Sequence, residues 1–592
     1  MKNLELYLEK LIEWRAKHIS NRHYVYILSV LVGLMSGLAA VVLKNTVYYT
    51  HYFLTKGFEI GSWNLLYLLY PLFGIILTVY VVSYLAKENI THGISRVLQA
   101  ISKHNGHLKK HDNYSSMIGS TLTVGFGGSV GLEAPIVMTG ASMGSSIARV
   151  LKLDYRTTVL LIACGAAGAI SGIFRAPIAG VVFALEVLML DLTMASLIPL
   201  LLASIAGTSM ATLLMGQSVL FTFAPANQFL YSNLPLYIGL GVFAGLVSVY
   251  FTRMNHFLED SFNKIHSNWT RMALGGLGVS VLIFLFPPLF GEGYVPLKEL
   301  LTGTGNSLAS GSVFYGIQDN AWLFTGFILL IMLLKVVAMS LTTGAGGVGG
   351  VFAPSLFVGG LSGFFFARAI NVSGLLHVPE TNFALAGMAG VMAGVMHAPL
   401  TAIFLIAEIT GGYDFFIPLM VTATIGYMTN SRFEPHGVYS KRLAEKGDLT
   451  THNKDKAILS RMKIDELIEK NFNIIGPNDY LGSLVREISK SERNVFPVVD
   501  RQNRFFGVVF LNDVRNIIFK HELYGKVFVK DIMYMPDPLV ELGESMESVA
   551  QKFHDTQHYN LPVLDKGEYV GFVSRANVFS AYREMLKDTS ED

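Results

Sequence analysis

The chain is short of cysteine and short of charge. It has one cysteine, Cys164, so no intrachain disulfide can form and no thiolate cluster can hold zinc. Charged residues are 15% of its 592 positions, against roughly 25% in an ordinary soluble protein. The net charge is only +2, which gives nucleic-acid binding no support. No HExxH or paired-aspartate motif is present, which argues against an intramembrane enzyme. What the chain has instead is apolar mass: 52% hydrophobic residues and a mean hydropathy of +0.46. Disordered and fibrous classes are excluded. The little charge there is lies unevenly. Residues 451–592 hold 41 of the 88 Asp, Glu, Lys and Arg, about 29% of that stretch, and the first 450 residues hold 47, about 10%. The pattern is a long membrane region followed by a short water-soluble tail.

Residues 1–23 place Leu4, Tyr7, Leu8, Leu11 and Ile12 at helical spacing among Lys and Glu. An unbroken apolar core and a small-residue cleavage site are both missing, so this is not a signal peptide. It reads as an amphipathic helix on the membrane surface. Lys2, Lys10, Arg15, Lys17 and Arg22 precede the first span, which favours a cytoplasmic N-terminus. Tyr24–Val42 and Leu65–Ala86 are long enough to cross a bilayer. Further on, the tracts Thr157–Gly216 and Ala321–Gly412 are nearly free of charge but broken by Gly and Pro. Irregular backbone at membrane depth survives only where protein buries it or a watery cavity meets it, so broken helices point to a transport protein with a site near the midplane.

The membrane region is duplicated. Gly125–Arg149 matches Gly344–Arg368 without a gap at an offset of 219, pairing Gly131 with Gly350, Pro135 with Pro354 and Arg149 with Arg368. Ala163–Gly180 matches Leu385–Ala402 at an offset of 222, pairing Pro177 with Pro399 and, just beyond, Glu186 with Glu408. The halves span roughly residues 24–216 and 235–430, and matching alone does not say whether they run parallel or inverted. Each carries a Gly-rich run ending in Ala-Pro, 127–135 and 346–354. Gly leaves backbone N–H groups uncovered and Pro is at home in a first helical turn. Two such helix starts meeting in the membrane could hold a small anion without any Lys or Arg. Glu133 lies inside the first run, in a near-chargeless tract, and as a carboxylate it could sit in that site and compete with the anion. Helix capping is the other role open to it. Its repeat mate is Phe352, so the arrangement is asymmetric. Glu186 and Glu408 read as capping or packing residues.

These motifs resemble those of the ClC family of chloride channels and chloride/proton exchangers, over nearly the whole chain. Gly131-Leu132-Glu133-Ala134-Pro135 is similar to the family's G(K/R)EGP motif, Gly350-Val351-Phe352-Ala353-Pro354 to its GxFxP motif, and Tyr439 falls at the pore tyrosine. The resemblance implies an inverted repeat of broken helices, with a pore in each protomer of a homodimer. It makes Glu133 the gate and puts the amides of Val351 and Phe352 and the hydroxyl of Tyr439 at the central chloride site. Three departures stand out: His92 replaces the pore serine in Thr91-His92-Gly93-Ile94-Ser95, Leu132 replaces a basic residue, and Val187 occupies the position of the exchangers' internal glutamate. His92 is a candidate chloride-site residue that would add pH sensitivity. Val187 favours channel-like passive conduction, with chloride/proton antiport by a non-standard path as the alternative.

The tail repeats as well. Phe496-Pro497-Val498-Val499-Asp500 matches Leu561-Pro562-Val563-Leu564-Asp565 at an offset of 65. Each unit mixes β-rich runs with helical stretches such as Tyr480–Ile488 and Met546–His554, and resembles a CBS domain. The family's adenine-nucleotide pattern is split between the units, with Asp513 in the first and Ser574 in the second. A dimerisation or gating module is the other reading of this pair. A membrane-tethered nucleotide sensor without transport is a further rival, against which the duplicated glycine loops argue.

The expected organisation is therefore a polytopic α-helical membrane protein followed by a soluble α/β tandem CBS pair. Its parts are an N-terminal helix over 1–23, membrane repeats over 24–216 and 235–430, a pore-lining helix and linker over 431–450, and CBS units over 456–522 and 526–587. The expected activity is chloride transport at the plasma membrane by a homodimer with both termini cytoplasmic. No metal or cofactor is expected for transport, and adenine nucleotide is a candidate ligand of the tail only.

Overall fold

The computed structural model describes residues 15, 17–56, 65–86, 93–188, 194–216, 221, 230–302, 308–309, 312–445, 459, 462–556 and 558–590. The expected surface helix over 1–23 lies mostly outside them, as does His92. The chain forms two compact units, Met1–Leu449 and Thr450–Asp592.

The membrane unit reads as two series of helices. The first half holds α1 (Asn21–Thr55), α2 (Tyr70–Ala86), α3 (Gly93–Lys103), α4 (Ser115–Gly125), α5 (Glu133–Val150), α6 (Tyr155–Phe174), α7 (Pro177–Glu186) and α8 (Met194–Met215). The second holds α9 (Leu234–Asn263), α10 (Asn268–Leu285), α11 (Tyr294–Leu301), α12 (Ala321–Gly344), α13 (Phe352–Val372), α14 (Glu380–Met396), α15 (Pro399–Ile409) and α16 (Phe416–Phe433), and a short α17 (Lys441–Glu445) follows. Among the described residues eight helices are long and apolar enough to cross a membrane, while α7 and α15 are apolar but too short. Glycine sets how closely the helices approach. A Cβ on Gly140 would stand 2.2 Å from the Gly165 carbonyl oxygen, and one on Gly363 would stand 1.8 Å from that of Phe383. These contacts join α5 to α6 and, in the other half, α13 to α14.

The breaks follow from local chemistry. Arg175 and His397 both adopt left-handed backbone at φ 57°, ending α6 and α14. Pro177 and Pro399 then restart the chain as α7 and α15, at a position where a missing N–H costs nothing. Gly127 (φ 97°) and Gly346 (φ 99°) make the turns after α4 and α12, which a side chain would strain.

The two halves are inverted. Gly131 N donates to Gly350 O at 2.9 Å and Gly350 N to Gly131 O at 2.8 Å, an antiparallel bridge between repeat mates. Identical strands can exchange bonds this way only when a two-fold axis reverses one against the other. The surrounding bonds obey the same axis: Ser129 N donates to Thr342 Oγ1 (3.2 Å) and Val348 N to Thr123 Oγ1 (3.0 Å). Glu186 accepts from Leu400 N and Thr401 N at the start of α15, and Glu408 accepts from Ile178 N and Ala179 N at the start of α7. Each half thus caps a helix of the other, the role expected of both glutamates.

The tail carries a four-stranded sheet of order β1-β6-β5-β4 and a hairpin of β2 and β3, formed by β1 (Ile468–Glu469), β2 (Val495–Val499), β3 (Phe505–Phe510), β4 (Val540–Glu541), β5 (Asn560–Asp565) and β6 (Glu568–Ser574). Helices Leu481–Lys490 and Met546–Thr556 fall on the two stretches expected to be helical. The edges are exchanged. β1 lies near the start of the first unit but pairs with β6 of the second, and Tyr534, 65 residues later than Glu469, lies near the start of the second unit but bridges Val508 of the first. Val495, Val508 and Phe572 form a small buried cluster shared by both units.

Candidate functional site

The glycine bridge sets the site. It holds the starts of α5 and α13 together, so the free amides of two half-helices face one region deep in the membrane unit. Glu133 opens α5 and is fully buried. Its Oε1 accepts from the Tyr294 hydroxyl at 2.5 Å. Its Oε2 makes no hydrogen bond of ordinary geometry, but lies beside the opposite helix start. A Cβ on Gly131 would stand 2.1 Å from Oε2 and 3.1 Å from the Ala353 amide nitrogen, so the loop must carry glycine for the carboxylate to reach this position.

Val351 caps α13 and Phe352 opens it, with the Phe352 ring between those of Phe174 (5.3 Å) and Phe183 (6.4 Å). Tyr439 lies in the loop before α17 and is buried to 9% exposure. Its carbonyl accepts from Ser95 Oγ at 2.8 Å, while its hydroxyl has no hydrogen-bond partner. Ser95 belongs to α3, which packs on the start of α5 (a Cβ on Gly93 would stand 2.7 Å from the Ala134 carbonyl oxygen), and so joins Tyr439 to the helix that Glu133 opens. An orphaned, buried O–H is what a small anion would satisfy. Sequence reasoning thus named residues from three distant segments, around 133, 351 and 439, that the fold gathers.

It missed four others. Glu292 Oε1 accepts from Leu132 N at 3.3 Å, one residue before the gate. Tyr294 follows two residues later. Lys335 is fully buried and donates to the carbonyls of Gly291 (2.8 Å) and Leu289 (3.3 Å), with its ammonium 5.1 Å from the Phe357 ring centre. Lys44 donates to the Ile173 carbonyl at 3.2 Å. A signal existed: Gly291-Glu292-Gly293-Tyr294 stands where the repeat places Thr91-His92-Gly93-Ile94, but only one glycine matches and the offset slips to 200. Packing supplies the confirmation. A Cβ on Gly93 would meet Met138, one on Gly293 would meet Phe357, and these two are mates at the 219 offset.

A profile of the family described as Voltage gated chloride channel matches residues 73–431. The chain belongs to this family. The ClC chain is 30% identical over 365 residues to a putative chloride channel protein ClcB-like of Ralstonia nicotianae, covering 60% of itself and 81% of that protein. It is 29% identical over 418 residues to the H(+)/Cl(-) exchange transporter ClcA of Vibrio cholerae (strain O395), covering 67% and 84%. Among solved structures, a slow cyanobacterial Cl-/H+ antiporter superposes with a TM-score of 0.62 at 21% identity, over 74% of the ClC chain and all of the antiporter. A eukaryotic CLC transporter superposes at 0.60 and 16% identity over 94% of the chain. These likenesses establish the ClC fold, and with it a multi-pass membrane protein of broken helices. The profile of the CBS domain matches residues 529–584, the second tail unit, and the repeat at offset 65 makes the first its partner.

In the tail, Ser574 lines a cleft of about 540 Å³ with Glu469, Arg493, Tyr559, Asn560, Ala576 and Asn577. Asp513 is not among its walls, so the two expected nucleotide residues are not brought together there. Ser574 Oγ accepts from Asn577 N at 3.2 Å, and Glu469 pairs with Arg493 (2.8 Å) and accepts from Asn577 Nδ2 (2.9 Å).

Proposed function

We propose that this ClC chain moves chloride across the membrane through a pore that the Glu133 carboxylate closes. The observation that carries the reading is the seat of that carboxylate: fully buried, between two inverted half-helix starts, and beside amides that would otherwise meet an anion. Protonated, Glu133 no longer competes for these amides and can leave. Val351, Phe352 and Tyr439 then hold the permeant chloride, and His92 completes the site. Backbone amides and a hydroxyl bind without a fixed full charge, which suits an ion that must also leave quickly.

Passive conduction is the first reading of the transport mode, because the buried Val187 cannot carry a proton through the half of the protein where an exchanger's internal glutamate stands. Chloride/proton exchange is the second, favoured by relatives whose names describe exchangers. Chloride flux from reconstituted vesicles with simultaneous pH recording separates the two. Passive conduction predicts no proton movement against its gradient, and uphill proton movement driven by chloride selects exchange. In the same assay Glu133→Gln weakens the pH dependence of chloride flux, and unchanged pH dependence would remove Glu133 from the gate.

The proposed assembly is a homodimer in the plasma membrane with both termini cytoplasmic, one pore to each protomer. The tail units, at 456–522 and 526–587, act as a regulatory CBS pair. Adenine nucleotide is its candidate ligand at the Ser574 cleft, which Asp513 does not line, and calorimetry of ATP with the full-length protein, wild type against Ser574→Ala, tests it.

A further inference from the structure

We propose that Glu292 is a second tethered anion, seated on the repeat mate of the predicted chloride site, and that permeating chloride must displace it as well as Glu133. The inference rests on the chloride-transport reading and extends it to the opposite side of the two-fold axis. In the sequence the repeat pairs Val351 with Leu132 at an offset of 219 and His92 with Glu292 at an offset of 200. The first member of each pair is expected at the chloride site. The second members are in contact, since Glu292 Oε1 accepts from the Leu132 amide at 3.3 Å. A carboxylate therefore stands at a helix start where symmetry with the chloride site calls for an anion.

The seat is a built one. Gly291 N donates to Gly127 O at 3.2 Å, and Lys335 holds the carbonyls of Leu289 and Gly291, so the loop carrying Glu292 is fixed from two sides. Glu133 Oε2, fully buried and without a hydrogen bond of ordinary geometry, lies across the glycine bridge beside the start of α13, so the two carboxylates take opposite half-helix starts. Glu133 on α5, Tyr294 on α11, Lys44 on α1 and Lys335 on α12 are the titratable groups that act on Glu292. Neither lysine is within ion-pairing distance of it among the described residues, so the carboxylate is attracted but not locked. Glu292 is also partly exposed, whereas Glu133 is sealed.

Competition between a tethered carboxylate and chloride has a concentration signature. The test is chloride flux from vesicles holding the full-length protein, measured over a range of chloride concentration and pH for wild type, Glu292→Gln, Glu133→Gln and the double variant. In alkaline solution, where both carboxylates are ionised, Glu292→Gln is expected to lower the half-saturating chloride at least threefold, with the gap closing as the pH falls and the wild-type carboxylate is neutralised. A purely structural role would scale the flux at every pH and leave half-saturation where it was, and that result overturns the proposal. Glu133→Gln alone gives a reading that needs no change at 292. With the first plug gone, half-saturating chloride should still rise with pH, because Glu292 remains. If Glu133→Gln abolishes all pH dependence, Glu133 stands as gate and the second tethered anion is refuted. If Glu133→Gln keeps the full wild-type pH dependence, the gate reading fails first. Wild type without chloride flux sinks both.

Discussion

Glu186 and Glu408 show how a single side chain can be structural although it is ionisable and lies in an apolar tract. Each accepts two backbone N–H groups from the first turn of a helix in the other half. Replacing a cap of this kind by alanine costs about 0.5–2 kcal/mol in soluble helices. Glu186→Ala and Glu408→Ala should each cost stability of that order, read as a lower thermal midpoint of the detergent-solubilised protein, while leaving chloride selectivity intact; a changed selectivity would place them in the pore instead. Glu133 differs because one of its oxygens makes no hydrogen bond of ordinary geometry. That distinction is invisible in the sequence, where all three are lone glutamates among apolar neighbours. Glu133 was legible because its motif is specific, and the two caps because they repeat. Glu292 was not, because its repeat mate is a histidine and its loop keeps one matching glycine.

At the scale of elements, the glycines divide into those that turn the chain and those that let helices touch. Gly363 belongs to the second kind, with the Phe383 carbonyl oxygen where its Cβ would be, and a carbonyl in a helix cannot step aside. Gly363→Ala should destabilise the protein by about 1–3 kcal/mol through overpacking. Gly326, on the exposed side of α12 with open space around it, is the control: alanine there should be neutral or mildly stabilising. Equal thermal midpoints for the two variants would refute this account of the α13–α14 contact. Pattern reading located the breaks at Pro177 and Pro399 but not the lengths of the helices. The first span was expected over Tyr24–Val42, yet α1 runs from Asn21 to Thr55. Lys44, Asn45 and Thr46 read as an end to the span. The helix continues because Lys44 finds the Ile173 carbonyl and Thr46 bonds back to the Val42 carbonyl.

For the whole molecule, the division into a poorly charged and a charged part was legible from composition, and the tail obeys a different chemistry from the membrane unit. Its stability depends on acid-sensitive pairs. Burial works to raise the Glu544 carboxyl, but Lys552 (2.6 Å) and the Ser548 hydroxyl (2.5 Å) outweigh it and hold the group below its ordinary value of 4.5. A depressed carboxylate contributes stability above its unfolded value, so this contribution is present above about pH 4.5 and is lost as the pH falls through the lower folded value. Lys552→Met should therefore flatten the acid limb of the tail's unfolding curve, followed by its far-ultraviolet signal. The exchanged edge strands bind the two CBS units into one cooperative body. Phe572→Ala, which opens their shared cluster, should lower stability by about 3–5 kcal/mol and melt both units together; two separate transitions would contradict that. No periodicity announces such an exchange, because a two-residue strand leaves almost no pattern. The inversion of the membrane halves has a further consequence, for biogenesis. Each half supplies the caps and the bridge that the other lacks, so a half inserted the wrong way round would strand two glutamates, two helix starts and two glycine amides in lipid at once. Correct orientation of one half is thereby checked by the folding of the other.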